Sequence, residues 1–334
     1  MVLDKFHRGV QKLKKRTTTS LLIISAAILG VGSAGLVPAL AGAYPSSSNV
    51  VYNNIPSPTP GNVPSVGFEA TSASEFGGQL QLDGTARKDP KVTVLMSSWA
   101  CKSGTWNGGN CITNPGSTFT HPVTLNVYNV GSNDSVGSLI KSDTETFTMP
   151  YRPTADDGTN CNAANGKAGE WWDGSSCYNG KAFKVSFNLD GTTLPDNVIV
   201  SVAYNTSDYG AQPMGDATAC HGTLQGCPYD SLNVGTSPTP SVGTPEPDAD
   251  SAYYNTSFAG FYGDNGAGGT GTFRLDSGNW TGYLPAFEVE ATGNQGHNGD
   301  HHSHHHNRHD HDGDNDDSHN KYGGYRGFYN LHHS

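Results

Sequence analysis

Phe183-Lys184-Val185-Ser186-Phe187-Asn188-Leu189 alternates apolar and polar side chains without a break. A strand sends successive side chains to opposite faces, so a period of two means one buried face and one wet face, as in an antiparallel sheet. The same period recurs at Val123, Leu125 and Val127, at Val198, Val200, Val202 and Tyr204, and at Phe287, Val289 and Ala291. Val92, Val94 and Met96 continue it, and weaker candidates lie at 79–82, 139–149 and 272–275. Asp83-Gly84 and Asp190-Gly191 punctuate these runs as turn signals. After residue 43 no segment repeats apolar residues at i, i+3, i+4 and i+7, the stripe an amphipathic helix needs. The chain therefore reads as all-β, a two-sheet antiparallel sandwich of jelly-roll type.

Composition agrees. Glycine supplies 43 of 334 residues and only 15% are charged, which suits loop-rich β structure better than helices. The N-terminus has the three zones of an export signal: a basic stretch to Arg16, an apolar stretch from Leu21 to about Leu40, and small residues ending at Ala41-Gly42-Ala43. Residues 1–43 read as a cleaved signal peptide. An uncleaved anchor is the alternative, against which stand the interruptions at Gly30, Gly32, Gly35 and Pro38. Either way the remainder is expected outside the cell, secreted or on the cell surface. The basic side chains concentrate in that signal, so the exported part is more acidic than the chain's formal −11. Phosphate backbones and anionic bilayers repel such a domain, so nucleic acid is excluded as a partner, and so is the membrane once the signal is cleaved.

Six cysteines form three close pairs, Cys101 with Cys111, Cys161 with Cys177, and Cys220 with Cys227, each bracketing a polar segment with glycine. Sequence alone allows 15 pairings of six cysteines. Export favours disulfides, and the simplest pairing closes three local loops. A metal site is the alternative, but no C-x2-C pair is present.

We divide the chain into the signal (1–43), an extended Pro/Ser/Asn-rich lead-in (44–64), the sandwich (65–292) and a tail (293–334). Residues 236–249 read as a Pro-rich long loop inside the sandwich rather than a linker, because 250–292 has too few strands to bury a core of its own. The tail should be disordered.

VYNNIPSPTPGNVPSVGFEAT at 51–71, with the segments around 96–99, 120–128 and 273–277, resembles the corresponding parts of a group of secreted bacterial proteins of unknown function. The likeness covers about 50–292. More distantly the layout is similar to choice-of-anchor β-sandwich domains of surface proteins. The resemblance implies a single exported domain and carries no catalytic residue.

Three constellations bear on chemistry. Trp106 lies inside the first cysteine loop, and Trp171, Trp172 and Asp173 inside the second. Aromatic rings on stiffened loops can stack sugar rings, with Asp173, Asn162 and Asn179 as hydrogen-bonding neighbours. The competing reading folds these rings back as caps on the core. Trp99, at a strand end, reads as core. The tail offers His301, His302, His304, His305, His306, His309 and His311 among aspartates, a ligand set for Zn, Ni or Cu. Its competing reading is a solvating low-complexity segment. Counted as a calcium loop from Asp310, the tail fails at the required glycine and at the acidic twelfth position.

For enzymes, neither G-x-S-x-G nor H-E-x-x-H occurs, and His121 and His221 are the only histidines in the domain. Glu288 and Glu290 share one strand face and read as solvated. The expectation is a non-catalytic binding or structural protein, with polysaccharide or cell wall as partner. Divalent transition-metal binding by the tail is the second expectation, and a polysaccharide-active enzyme the third. No cofactor is required by the first.

Overall fold

The structure is a computed structural model that describes residues 48–293. Residues 1–43, expected to be a signal peptide, and the histidines of the tail lie outside the described residues.

Fifteen strands are present among the described residues, with 3₁₀ turns and no α-helix. In chain order they are β1 Ser48–Asn53, β2 Ser65–Gly67, β3 Ala73–Gln81, β4 Lys88–Ser98, β5 Thr118–Val130, β6 Val136–Pro150, β7 Trp171–Trp172, β8 Cys177–Tyr178, β9 Lys181–Asn188, β10 Asn197–Ala203, β11 Leu232–Gly235, β12 Thr244–Glu246, β13 Ser251–Thr256, β14 Arg274–Ser277 and β15 Phe287–Thr292. Two antiparallel sheets pack face to face, the sandwich the alternation predicts. The chain repeatedly crosses between them, as a jelly roll does.

β4 is the spine of the first sheet. β9 pairs with Lys91 to Ser98 along one edge, so β15 and β11 must share the other, beside Lys88 to Val94 and Met96 to Ser98 in turn. β1 and β2 extend that side. In the second sheet the order is β14-β13-β3-β10-β5-β6, with β12 beside β3 beyond the end of β13. β6 closes the edge with Lys141, Asp143 and Glu145, charges that discourage further strand pairing.

The core lies between the sheets. Val92, Val94, Met96, Val185 and Phe187 of the first face Val123, Leu125, Val198, Val200 and Val202 of the second, all buried. Each such side chain contributes roughly 1.5–3 kcal/mol by leaving water. Along the β6 and β9 edges, Phe147 meets Phe187 edge to face at 5.0 Å.

Two boundaries differ from the sequence reading. Ser48–Asn53, inside the expected lead-in, is a strand on β15. The segment after it folds across the outer face of the first sheet, where Ile55 and Val63 pack with Leu95, Ala182 and Ala286 in a second apolar layer. Prolines hid this, because the segment packs without strand periodicity. Within the Pro-rich stretch, Thr244–Glu246 is likewise a strand, set at the edge position where a proline costs least. Strands on both sides of that stretch belong to the same two sheets.

Candidate functional site

The cysteines pair locally, Cys101–Cys111, Cys161–Cys177 and Cys220–Cys227, with Cα separations of 5.4, 5.8 and 4.8 Å. All three loops leave the same end of the sandwich. Ser98, the end of β4, pairs with Lys181 and with Leu232, the starts of β9 and β11. Thr118, the start of β5, pairs with Pro150, the end of β6. The two sheets are tied there by the Arg152 amide, which donates to the Ala100 carbonyl at 2.9 Å.

The Arg152 side chain clasps the first two loops. It is fully buried, and its guanidinium donates to the carbonyls of Trp106 at 3.2 Å, Gly169 at 2.8 Å and Pro153 at 3.3 Å. Burial pulls its pKa down to about 10, and the nearby Glu170 charge opposes that fall, so it remains a cation at neutral pH. The loops touch at Gly169, where φ is +82° and an added Cβ would lie 3.1 Å from the Gly109 Cα. Only glycine meets both conditions without strain.

The structure separates the four residues that the sequence groups as a sugar platform. Trp171 is buried, and its indole N–H donates to the Gly180 carbonyl at 2.6 Å. Its ring packs on Tyr178 at 5.5 Å, with the Lys181 ammonium 5.0 Å over it, so it is a wall of the fold. Asp173 is exposed, but its Oδ1 is taken by the N–H groups of Ser176 and Ser175 and the Ser175 hydroxyl. Those bonds, that of Ser176 foremost, hold its pKa below the usual carboxylate range. Asn162 likewise caps a 3₁₀ turn. Trp106 and Trp172 remain as exposed rings. Trp106 stands edge-on to Trp99, with ring centroids 4.8 Å apart. Glu288 and Glu290 pair with Asn53 and Lys91 on the surface of the first sheet.

The second loop, together with residues 62–64 and Trp99 just after β4, lines an open cleft of about 500 Å³ whose residues are Asn62, Val63, Pro64, Trp99, Lys167, Glu170, Cys177, Tyr178 and Asn179. Trp99 and Tyr178 are half-buried aromatic walls. The Trp99 indole N–H donates to the Ser97 hydroxyl at 3.0 Å, which donates to Asn62 Oδ1 at 2.6 Å. Gly180 permits this packing, since a Cβ there would lie 2.5 Å from the Trp99 indole nitrogen. Glu170 is 7% exposed. Its Oε1 accepts from Asn179 Nδ2 at 3.1 Å and faces Lys167 Nζ at 3.6 Å, while its Oε2 has no partner. A buried carboxylate oxygen without a donor is costly, and such groups concentrate at working sites. Glu170 is the only carboxylate among the lining residues.

Sequence reasoning places Asn179 near the site but not Trp99, Tyr178 or Glu170. Trp99 and Tyr178 are far apart in the chain and meet only because Ser98 and Lys181 are in register. Comparisons with family models, curated proteins and solved structures return no match.

Proposed function

We propose that this chain is a secreted or cell-surface, non-catalytic binding protein, and that the cleft between the second disulfide loop and residues 62–64 takes carbohydrate. The observation that carries the reading is one open cleft holding two aromatic side chains beside amide, ammonium and carboxylate groups, the last two on a disulfide-stiffened loop. Aromatic faces receive the C–H faces of a sugar ring, and fixed polar groups sort its hydroxyls. Stiff loops reduce the ordering cost of binding. The half-exposed Lys167 ammonium, 3.6 Å from Glu170 Oε1, is the charged group most open to a ligand hydroxyl. A single lining carboxylate supports binding over glycoside hydrolysis, which in most glycosidase families uses two. The basic-apolar-small order of residues 1–43, the three disulfides and the resemblance to secreted bacterial proteins support an extracellular setting.

The test is a pull-down of the full chain with insoluble polysaccharides and purified cell wall. Retention should be competed by soluble sugar and should fall on Tyr178→Ala and on Glu170→Gln, while Trp172→Ala retains it. Retention that ignores both cleft substitutions, or no retention on any polysaccharide, would overturn the assignment.

A further inference from the structure

A second cluster lies beside the third disulfide loop. Asp208 and Asp216 precede the Cys220–Cys227 bridge, and His221 follows its first cysteine. One ligand atom from each of these three side chains lies within 4.8 Å of the others. His221 Nε2 is 3.6 Å from Asp216 Oδ1. Ligand atoms bound to one Zn2+ at about 2.0–2.2 Å stand about 3–4 Å apart, so small side-chain rotations close the set.

The backbone under the cluster is pinned. Met214 and Gly215 donate to the carbonyls of Thr206 and Ser207 at 2.9 Å each, and His221 donates to Thr218 at 2.9 Å. Ser207 is held in turn by Asp230, through its amide at 2.7 Å and its hydroxyl at 2.8 Å.

Several other aspartates serve the backbone: Asp156, Asp157 and Asp173 accept N–H groups of their own loops, and Asp250 accepts those of Trp280 and Thr281. Neither the Asp208 nor the Asp216 carboxylate accepts a hydrogen bond from a described residue, and no described Lys or Arg pairs with either. A third carboxylate, that of Glu69, sits against the Asp208 amide at 3.4 Å. Two unoccupied anionic ligands thus converge on an imidazole, with more negative charge behind them and no protein cation.

We propose that Asp208, Asp216 and His221 form a binding site for a divalent transition-metal ion of the zinc class. The imidazole selects such a metal over calcium or magnesium, which prefer oxygen donors alone. Three protein ligands leave a coordination position for water or for a ligand group. The site shares the end of the sandwich with the aromatic cleft.

Zn2+ is the probe. Because histidines from His297 to His333 would also bind it, the full chain is used with each of these replaced by Asn. Calorimetry should then find one Zn2+ per chain, and Asp208→Asn and His221→Asn should each weaken binding about tenfold or more. An intact Cys220–Cys227 bridge and an unchanged circular dichroism spectrum establish that each variant is folded. Absence of saturable binding in the parent, or affinity unmoved by both substitutions, would overturn the proposal.

Discussion

The Arg152 guanidinium donates to the Gly169 carbonyl at 2.8 Å and so pins one disulfide loop against the other. The same group serves the Trp106 carbonyl across the contact. Arg152→Met keeps most of the volume and removes every donor. Three carbonyls, those of Trp106, Gly169 and Pro153, then lose a donor, and Glu170 loses a nearby positive charge. We expect a loss of about 3 kcal/mol by urea unfolding, with both disulfides still closed. A loss below about 0.5 kcal/mol would mean that water replaces the guanidinium.

The three disulfides should rank by loop length. Chain entropy assigns about 3 kcal/mol to the Cys161–Cys177 bridge, which spans 16 residues, and about 2.4 kcal/mol to Cys220–Cys227, which spans 7. Paired Cys→Ser variants compared by urea midpoint test the order. If the shorter bridge costs more, native-state packing of the third loop outweighs the entropic account.

Folding should weaken on acidification through His121. Its ring is buried, stacks on Tyr229 at 4.7 Å, and its Nε2 lies 2.8 Å from the Asn205 carbonyl oxygen, an arrangement for a neutral imidazole with Nε2–H as donor. Burial lowers its pKa from the ordinary value, against smaller opposing effects from the Asn205 carbonyl and the Asp230 charge. Well above about pH 6.5 the imidazole is neutral in both states and contributes no slope. As pH falls below that, the unfolded chain takes up a proton that the folded one resists, so stability falls with it. Urea midpoints at pH 7.5 and pH 5.5 should drop more for the parent than for His121→Gln. Equal drops would place the titrating group elsewhere.

Strands with one wet face were legible in the sequence, because alternation is the imprint of that environment. β5 and β9 are such strands, with Val123, Leu125 and Val185 inward and Thr124, Asn126 and Lys184 outward. β13 was not legible. Ser251, Ala252, Tyr253 and Tyr254 are all buried, so no period of two survives. The local cysteine pairs were readable from spacing, and the second of the loops they close lines the candidate site. Its lining was not readable, because the β4–β9 register brings Trp99 to Tyr178 and no local pattern encodes a register between distant strands. The rings of the second cysteine loop misled for a related reason. Adjacent residues of a strand face opposite ways, so Trp171 is buried while Trp172 is exposed.

The Pro-rich segment 54–64 should prove structural. Asn54, which opens it, is buried. Its side-chain amide donates to the carbonyls of Pro285 at 3.0 Å and Ser237 at 3.2 Å, and its Oδ1 accepts the Phe287 amide at 2.7 Å. Farther along, the Ala182 amide donates to the Gly61 carbonyl at 2.9 Å, fastening the segment to the start of β9. Ile55, between these anchors, and Val63, just past the second, cover Leu95 on the outer face of the first sheet. Ile55→Ala removes the largest contribution from the covering side and opens a cavity over Leu95. Such truncations cost about 2–5 kcal/mol in packed cores, whereas a change in a loose lead-in stays within about 0.5 kcal/mol. We expect the first range for Ile55→Ala by urea unfolding, and a similar cost for Leu95→Ala from the opposite side of the layer. The double variant should cost less than the sum of the two, because both substitutions empty the same space. A loss within about 0.5 kcal/mol for Ile55→Ala would show that the outer face of the first sheet holds without its cover.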